Sequence, residues 1–143
     1  MGQMAIHGLL AEGARNYAEF IGERPPDEVA RLMRRSAVVV LPSRAESFGA
    51  VLVEALACGT PVIATRCGGP EDIVTERVGL LIDKERPDVL AAAIERVLDR
   101  RSDYDPAELR AHALDNFSWD RVAQQTVELY DAALNHPIKR GSQ

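Results

Sequence analysis

The sequence predicts an α/β chain built on a doubly wound parallel sheet, and three observations carry that prediction. Residues 37–41, Ala-Val-Val-Val-Leu, form an unbroken apolar, β-branched run that Pro42 stops, the pattern of a parallel strand covered on both faces. Two more apolar runs, 61–65 and 79–82, follow at intervals filled by segments of helical character. Strands that alternate with helices bury their apolar faces most readily as a parallel sheet with helices packed against it.

A helical stretch over 4–12 is expected first, followed through Gly13 and Asn16 by a short strand over 17–21 that Gly22 closes. Pro25-Pro26-Asp27 then opens a helix in which Val29, Leu32 and Met33 recur at helical spacing. Asp27 and Glu28 stand at its positive end, and Arg31, Arg34 and Arg35 form a solvated face. After the strand at 37–41 and a polar loop, a helix is expected over 48–58, ended by Gly59, which enters the left-handed conformation at little cost. The strand at 61–65 leads to a turn at Gly68-Gly69-Pro70, a short helix through Val74, and the strand at 79–82. Three helices finish the chain, over 87–101, 106–116 and 119–134, the last with Ser118 as its N-cap. Trp119, Tyr130 and Leu134 are assigned to the core on their helical spacing, and residues 139–143 are read as a flexible tail.

Composition narrows the function classes. The chain has 143 residues, 46% hydrophobic and 27% charged, which suits one folded domain. With 17 Lys and Arg against 22 Asp and Glu, its net charge of −5 argues against nucleic acid or an anionic membrane as a default partner. The longest apolar segments, 37–42 and 50–58, the second broken by Glu54, are far short of the roughly 18 residues of a membrane span. Cys58 and Cys67 are too few for a disulfide framework and lack metal-ligand spacing, so a reducing, cytoplasmic setting without metal or cofactor is expected, with both thiols small and buried. His7, His112 and His136 have no carboxylate partner at ligand spacing and are assigned packing or surface roles.

In such a sheet, ligands sit beyond the carboxyl ends of the strands, which directs attention to the loops at 42–47, 66–70 and 83–86. The first loop presents Glu46, then the small residues Ser47, Gly49 and Ala50 at a helix start, where free amides and the helix dipole favour phosphate. Glu54 stands eight residues after Glu46, slightly more than two turns along, and is expected on the same helix face. A carboxylate beside a phosphate site makes sense if the ligand also carries sugar hydroxyls that donate to it. The combination suggests a nucleotide sugar.

The segment from Glu46 to Val62, Glu-Ser-Phe-Gly-Ala-Val-Leu-Val-Glu-Ala-Leu-Ala-Cys-Gly-Thr-Pro-Val, resembles the E-x7-E signature of the family 4 (group 1) glycosyltransferases. The likeness extends over about 17–134 through Phe20-Ile21-Gly22, Leu41-Pro42-Ser43, Gly68-Gly69-Pro70-Glu71, Gly79-Leu80-Leu81 and Phe117-Ser118-Trp119. That resemblance implies a retaining enzyme of the GT-B fold, of which this chain would be part of the Rossmann-like C-terminal, donor-binding domain. It implies that Glu46 holds hydroxyls of the donor sugar as the catalytic carboxylate. The amides of Phe48, Gly49 and Ala50, beside Ser47, would then face the diphosphate or the sugar, Glu54 would bind the ribose diol, and Gly68 and Gly69 would lie near the donor. The donor would be a nucleoside diphosphate sugar and the acceptor is left open.

Against the family pattern, an acceptor domain, the first two strands of the donor domain and a basic pair that neutralises the diphosphate have no counterpart here. Arg44 and Arg66 are candidates to substitute in part for that pair, although arginines on surface loops are more often simply solvated. The expectation is a partial domain, inactive alone, in which the strand at 17–21 either pairs directly with that at 37–41 or leaves an apolar edge open for self-association or a missing N-terminal half. A non-catalytic nucleotide-sugar-binding or interaction module is the alternative, and a fragment of a UDP-sugar epimerase a more distant one.

Overall fold

The computed structural model describes residues 17–135. The helix expected over 4–12, His7, His136 and the tail at 139–143 lie outside the described residues. Three parallel strands, β1 (Val39–Leu41), β2 (Val62–Thr65) and β3 (Gly79–Ile82), form a sheet in the order β1-β2-β3. Val39 pairs with Val62, and Val62 in turn with Gly79. The helices are α1 (Pro26–Arg35), α2 (Ala50–Ala57), α3 (Pro70–Ile73), α4 (Pro87–Asp99), α5 (Pro106–Phe117) and α6 (Trp119–Asn135), with a 3-10 turn at Arg101–Asp103 between α4 and α5. The α/β class with a parallel sheet flanked by helices is therefore as the sequence predicts.

Local chemistry accounts for the helix boundaries. Pro26 starts α1, Asp27 and Glu28 occupy its first turn, and Arg34 and Arg35 its last, so each end carries the charge that its dipole favours. Arg31 pairs with Asp27 at 2.7 Å across one exposed turn, as a solvated arginine face should. Asp105 caps α5 by accepting from the Ala107 amide at 2.8 Å. Ser118 ends α5 and accepts from the Arg121 amide at 3.3 Å, the expected N-cap of α6.

The core lies around β2, all four of whose residues are buried, and extends through Leu52, Ala55 and Leu56 of α2, Val97 of α4, and Leu109 and Ala113 of α5. Polar ties cross it. The buried Thr60 hydroxyl donates to the Met33 carbonyl at 2.6 Å, fixing the end of α1 to the α2–β2 turn. Arg110 Nε donates to the Ala57 carbonyl at 3.1 Å, and His112 Nε2 lies 2.9 Å from the Ile73 carbonyl, so α5 is held to both α2 and α3.

Four expectations are corrected. Residues 17–21 form no strand: Tyr17 is 92% exposed, and the segment is irregular up to α1. Among the described residues no strand runs beside them to form a ladder, and apolar composition alone does not make a strand. The run at 37–41 is strand only from Val39, and it is half-buried. It is an edge strand among the described residues, and the strand covered on both faces is the central β2. Trp119, Tyr130 and Leu134 are not core: they are 87%, 68% and 78% exposed, and α6 buries none of its residues. Helical spacing creates an apolar stripe, but burial requires an opposing surface, and α6 meets the rest of the described chain only around its start. Cys58 and Cys67 are free thiols but half-buried rather than buried.

Leu109 is fully buried between α5 and the α2 side of the core. Leu109→Ala is expected to cost about 2–5 kcal/mol, read as a lowered urea midpoint with an unchanged slope; a loss below about 1 kcal/mol would mean that this seam does not hold the domain together.

Candidate functional site

The loop after β1 and the loop after β2 are joined backbone to backbone beyond the ends of their strands. Glu46 forms an isolated parallel bridge with Gly68. Its amide donates to the Cys67 carbonyl at 3.3 Å and its carbonyl accepts from the Gly69 amide at 2.9 Å. Two glycines make this possible for different reasons. Gly68 has φ +118°, and a Cβ there would lie 2.7 Å from the Glu46 carbonyl oxygen. Gly69 has ordinary helical torsions, but a Cβ on it would lie 2.4 Å from Phe48 Cα. The need at Gly69 is for space alone.

The junction positions the start of α2. Gly49, at φ +95°, turns the chain into the helix, whose N-terminus has no side-chain cap. The helix therefore begins at Ala50 and not at Phe48, because a left-handed residue cannot continue an α-helix backwards. Glu46 lies off the helix, which corrects the expectation that it shares a helix face with Glu54. Its Oε1 is 3.5 Å from the Phe48 amide, a long contact. Ser47, Phe48 and Ala50 are exposed, whereas Gly49 is buried. The Phe48 ring turns away towards α5, edge-on to Phe117 at 6.0 Å between centroids, and Phe117 lies 5.9 Å from His112. Glu71, at the start of α3, accepts from the Gly68 amide at 3.2 Å and so braces the glycine turn.

Glu54 is separate from this cluster. It is exposed on α2, one turn beyond Ala50, or about 6 Å along the axis. It lines a groove of about 420 Å³ between α1 and α2, with Arg24, Val29, Met33, Ala57 and Cys58 among its walls. Thus Glu46, Ser47, Phe48, Gly49, Ala50, Gly68 and Gly69 come together at one junction, and Glu54 stands on the neighbouring flank of the helix that the junction starts. The walls of its groove, Arg24 above all, escaped sequence reasoning, since only the packing of α1 on α2 makes a groove. Among the described residues, no three His, Cys, Asp or Glu side chains are grouped to hold a metal ion.

The third loop faces a different space. A pocket of about 380 Å³ at the carboxyl ends of the strands is lined by Ser43, Arg44, Thr65, Asp83, Glu85 and Arg86, among others. Thr65 Oγ1 donates to the Ser43 carbonyl beneath it. Arg44 is paired with Glu85 at 3.1 Å, and Arg66 lines yet another pocket. The side chain of neither forms a hydrogen bond or ion pair with the α2 N-terminus. Arg86 grips Asp88 through two nitrogens, at 3.0 and 2.7 Å, and this hydrogen-bonded pairing lowers the Asp88 carboxyl from 3.8 to about 2.

Comparison with known proteins gives a consistent picture. The family model described as Glycosyl transferases group 1 matches residues 5–114. The D-inositol 3-phosphate glycosyltransferase of Corynebacterium urealyticum is 41% identical over 128 residues, which cover 85% of this chain and 30% of that protein. Among solved structures, the sucrose-phosphate synthase of Thermosynechococcus elongatus superposes with a TM-score of 0.76 at 31% identity, over 92% of this chain and 34% of the other. Anabaena Alr3699/HepE, solved in complex with UDP, gives 0.78 at 27% identity, over 90% and 36%. The same protein in complex with UDP-glucose gives 0.77 at 27%, over 92% and 38%. The chain spans about a third of the length of the curated relatives it matches.

Two outcomes follow from this geometry. Gly69→Ala is expected to cost about 1–3 kcal/mol through overpacking and to speed hydrogen exchange at the Gly69 amide; an unchanged urea midpoint would show that the close approach to Phe48 constrains nothing. A carboxyl titration followed by NMR should place Asp88 near pH 2, its pairing present above that value and lost as the pH falls through it. Arg86→Ala should return it towards 3.8, and a titration unmoved by that change would sink the assignment of the shift to Arg86.

Proposed function

Because the chain belongs to the group 1 glycosyl transferases, we propose that it is the donor-binding part of a retaining glycosyltransferase that moves a sugar from a nucleoside diphosphate carrier to an acceptor bound elsewhere. The observation that carries the reading is the uncapped N-terminus of α2, held by the Glu46–Gly68 bridge with Glu54 one turn further along the same helix. In this reading the amides of Phe48, Gly49 and Ala50, beside Ser47, face the diphosphate. Glu46 exchanges its long contact with the Phe48 amide for hydroxyls of the donor sugar and is the catalytic carboxylate. Glu54 accepts from the ribose diol, and the apolar walls of its groove take the base. The span of about 6 Å from the helix start to Glu54 suits the step from a phosphate to its ribose. Gly68 and Gly69 keep the second loop close enough to border the donor. The UDP and UDP-glucose complexes of Anabaena Alr3699/HepE support a nucleotide-sugar donor, and two free thiols suit the cytoplasmic setting that goes with it.

Magnitudes set the expected strength. A helix N-terminus contributes about 0.3–1 kcal/mol to holding an anion, and a hydrogen bond to a carboxylate about 1.5–3 kcal/mol. Association costs several kcal/mol against these, which leaves binding on the order of millimolar, or about −4 kcal/mol. Holding acceptor against donor supplies a further ~7–11 kcal/mol of a transfer barrier. We assign that task to polypeptide beyond this chain and expect no transfer by the chain alone. A second reading, a non-catalytic module that works by pairing with another polypeptide, is favoured by the outer edge of β1, which no described strand covers, and by the unburied α6.

Titration of UDP-glucose and GDP-mannose, followed by amide NMR, tests the proposal. Saturable shifts at Phe48, Gly49 and Glu54 are expected in the millimolar range, weakened about 10-fold or more by Glu54→Ala, the equivalent of at least ~1.4 kcal/mol. A folded sample that shows no saturable shifts at ~10 mM ligand, or identical binding by Glu54→Ala, would overturn the donor-site assignment.

A further inference from the structure

At the β3 edge of the sheet, α4 and the turn before β3 enclose a pocket of about 430 Å³ into which four arginines converge: Arg66, Arg77, Arg96 and Arg100. We propose that this pocket binds a phosphate-bearing ligand, at a site distinct from the donor groove. Arg66 leaves the end of β2 with its amide tied to the Ile82 carbonyl at 2.8 Å. Arg77 stands just before β3, and Arg96 in the last turn of α4 is four residues from Arg100 at its C-cap, a spacing at which like charges repel. Leu80 and Leu81 give the pocket an apolar floor, against which charges are less well screened than on an open surface.

Among the described residues the charge is answered only in part. Two carboxylates border the pocket, Glu76 and Asp103, leaving an excess of two positive charges in a chain whose net charge is −5. Asp103 pairs with Arg100 at 3.1 Å. Among the described residues, no carboxylate lies within 4.0 Å of the guanidinium of Arg66, Arg77 or Arg96. A single exposed arginine is ordinarily just hydrated, but three unpaired guanidiniums around one concavity form a set of fixed forks matched to phosphate oxygens. A phosphate monoester or pyrophosphate offers at least three terminal oxygens, enough to engage several forks at once, where a carboxylate offers two. The site shares no lining residue with the Glu54 groove.

The test is an amide NMR titration of the 143-residue chain with pyrophosphate, against sodium chloride at equal ionic strength. Saturable shifts at Arg77, Leu80 and Tyr104 are expected, weakened at least 10-fold in Arg77→Gln/Arg96→Gln and retained in Glu54→Ala. Because both arginines are exposed, the double variant should keep its fold, checked by its unshifted Leu52 and Leu109 amides. Cosedimentation with phosphatidylcholine vesicles, with and without phosphatidic acid, distinguishes the source. Binding to the acidic vesicles that the double variant loses would assign the phosphate to a lipid headgroup, and pyrophosphate binding without it to a soluble ligand. Shifts reproduced by sodium chloride, or unaltered in the double variant, or absent together with vesicle binding, would overturn the proposal. The Glu54→Ala comparison keeps this result independent of the donor-site reading.

Discussion

The contact on which the candidate site depends is the backbone junction between the loops that follow β1 and β2. Hydrogen bonds from Glu46 to Cys67 and from Gly69 to Glu46 continue the parallel pairing beyond the strands, where no regular ladder remains. They form only because residues 68 and 69 lack side chains: the two chains approach so closely that a methyl group at Gly69 would overlap the Phe48 backbone. That junction sets the position of Glu46, delivers Gly49 in the left-handed conformation, and so decides that α2 starts at Ala50 with its end uncapped. The two carboxylates of the motif therefore stand on different supports: Glu54 on the helix, and Glu46 on a glycine-dependent junction of backbone ahead of it.

Support for the junction comes from the core behind it. α2 is buried along Leu52, Ala55 and Leu56, and α5 presses Leu109 and Ala113 into the same core while Arg110 and His112 bond carbonyls of α2 and α3. The Phe48 and Phe117 rings join the loop itself to α5. The junction is thus braced from behind by packed side chains, and the N-terminus of α2 in front of them carries no side-chain cap. Holding a loop by packing and close backbone approach preorganises it, which lowers the ordering cost of binding.

Elsewhere the chain has surfaces that its own described residues do not cover. The outer edge of β1 and the apolar stripe of α6 are of this kind, and so is the arginine pocket beside β3, where the missing complement is charge rather than apolar area. Each of these follows from a local rule without its usual partner: a half-buried run of valines without a second neighbour, an amphipathic helix without a groove, and guanidiniums without carboxylates.

The α/β class, the α1 and α5 starts, the Ser118 cap, the Gly59 stop and the E-x7-E segment are legible in the sequence, because each rests on torsional preference, capping or periodicity within a few residues. It also singled out Gly68 and Gly69, though not the reason they are needed. Long-range packing decides which valine-rich strand lies at the centre, that residues 17–21 join no described strand, that Trp119, Tyr130 and Leu134 face outward, and that Glu54 enters a groove with Arg24 while Glu46 stays on the junction ahead of the helix. These depend on what stands opposite a residue, and a periodic pattern records which way a side chain points relative to its neighbours in the chain, not whether another part of the molecule is there to meet it.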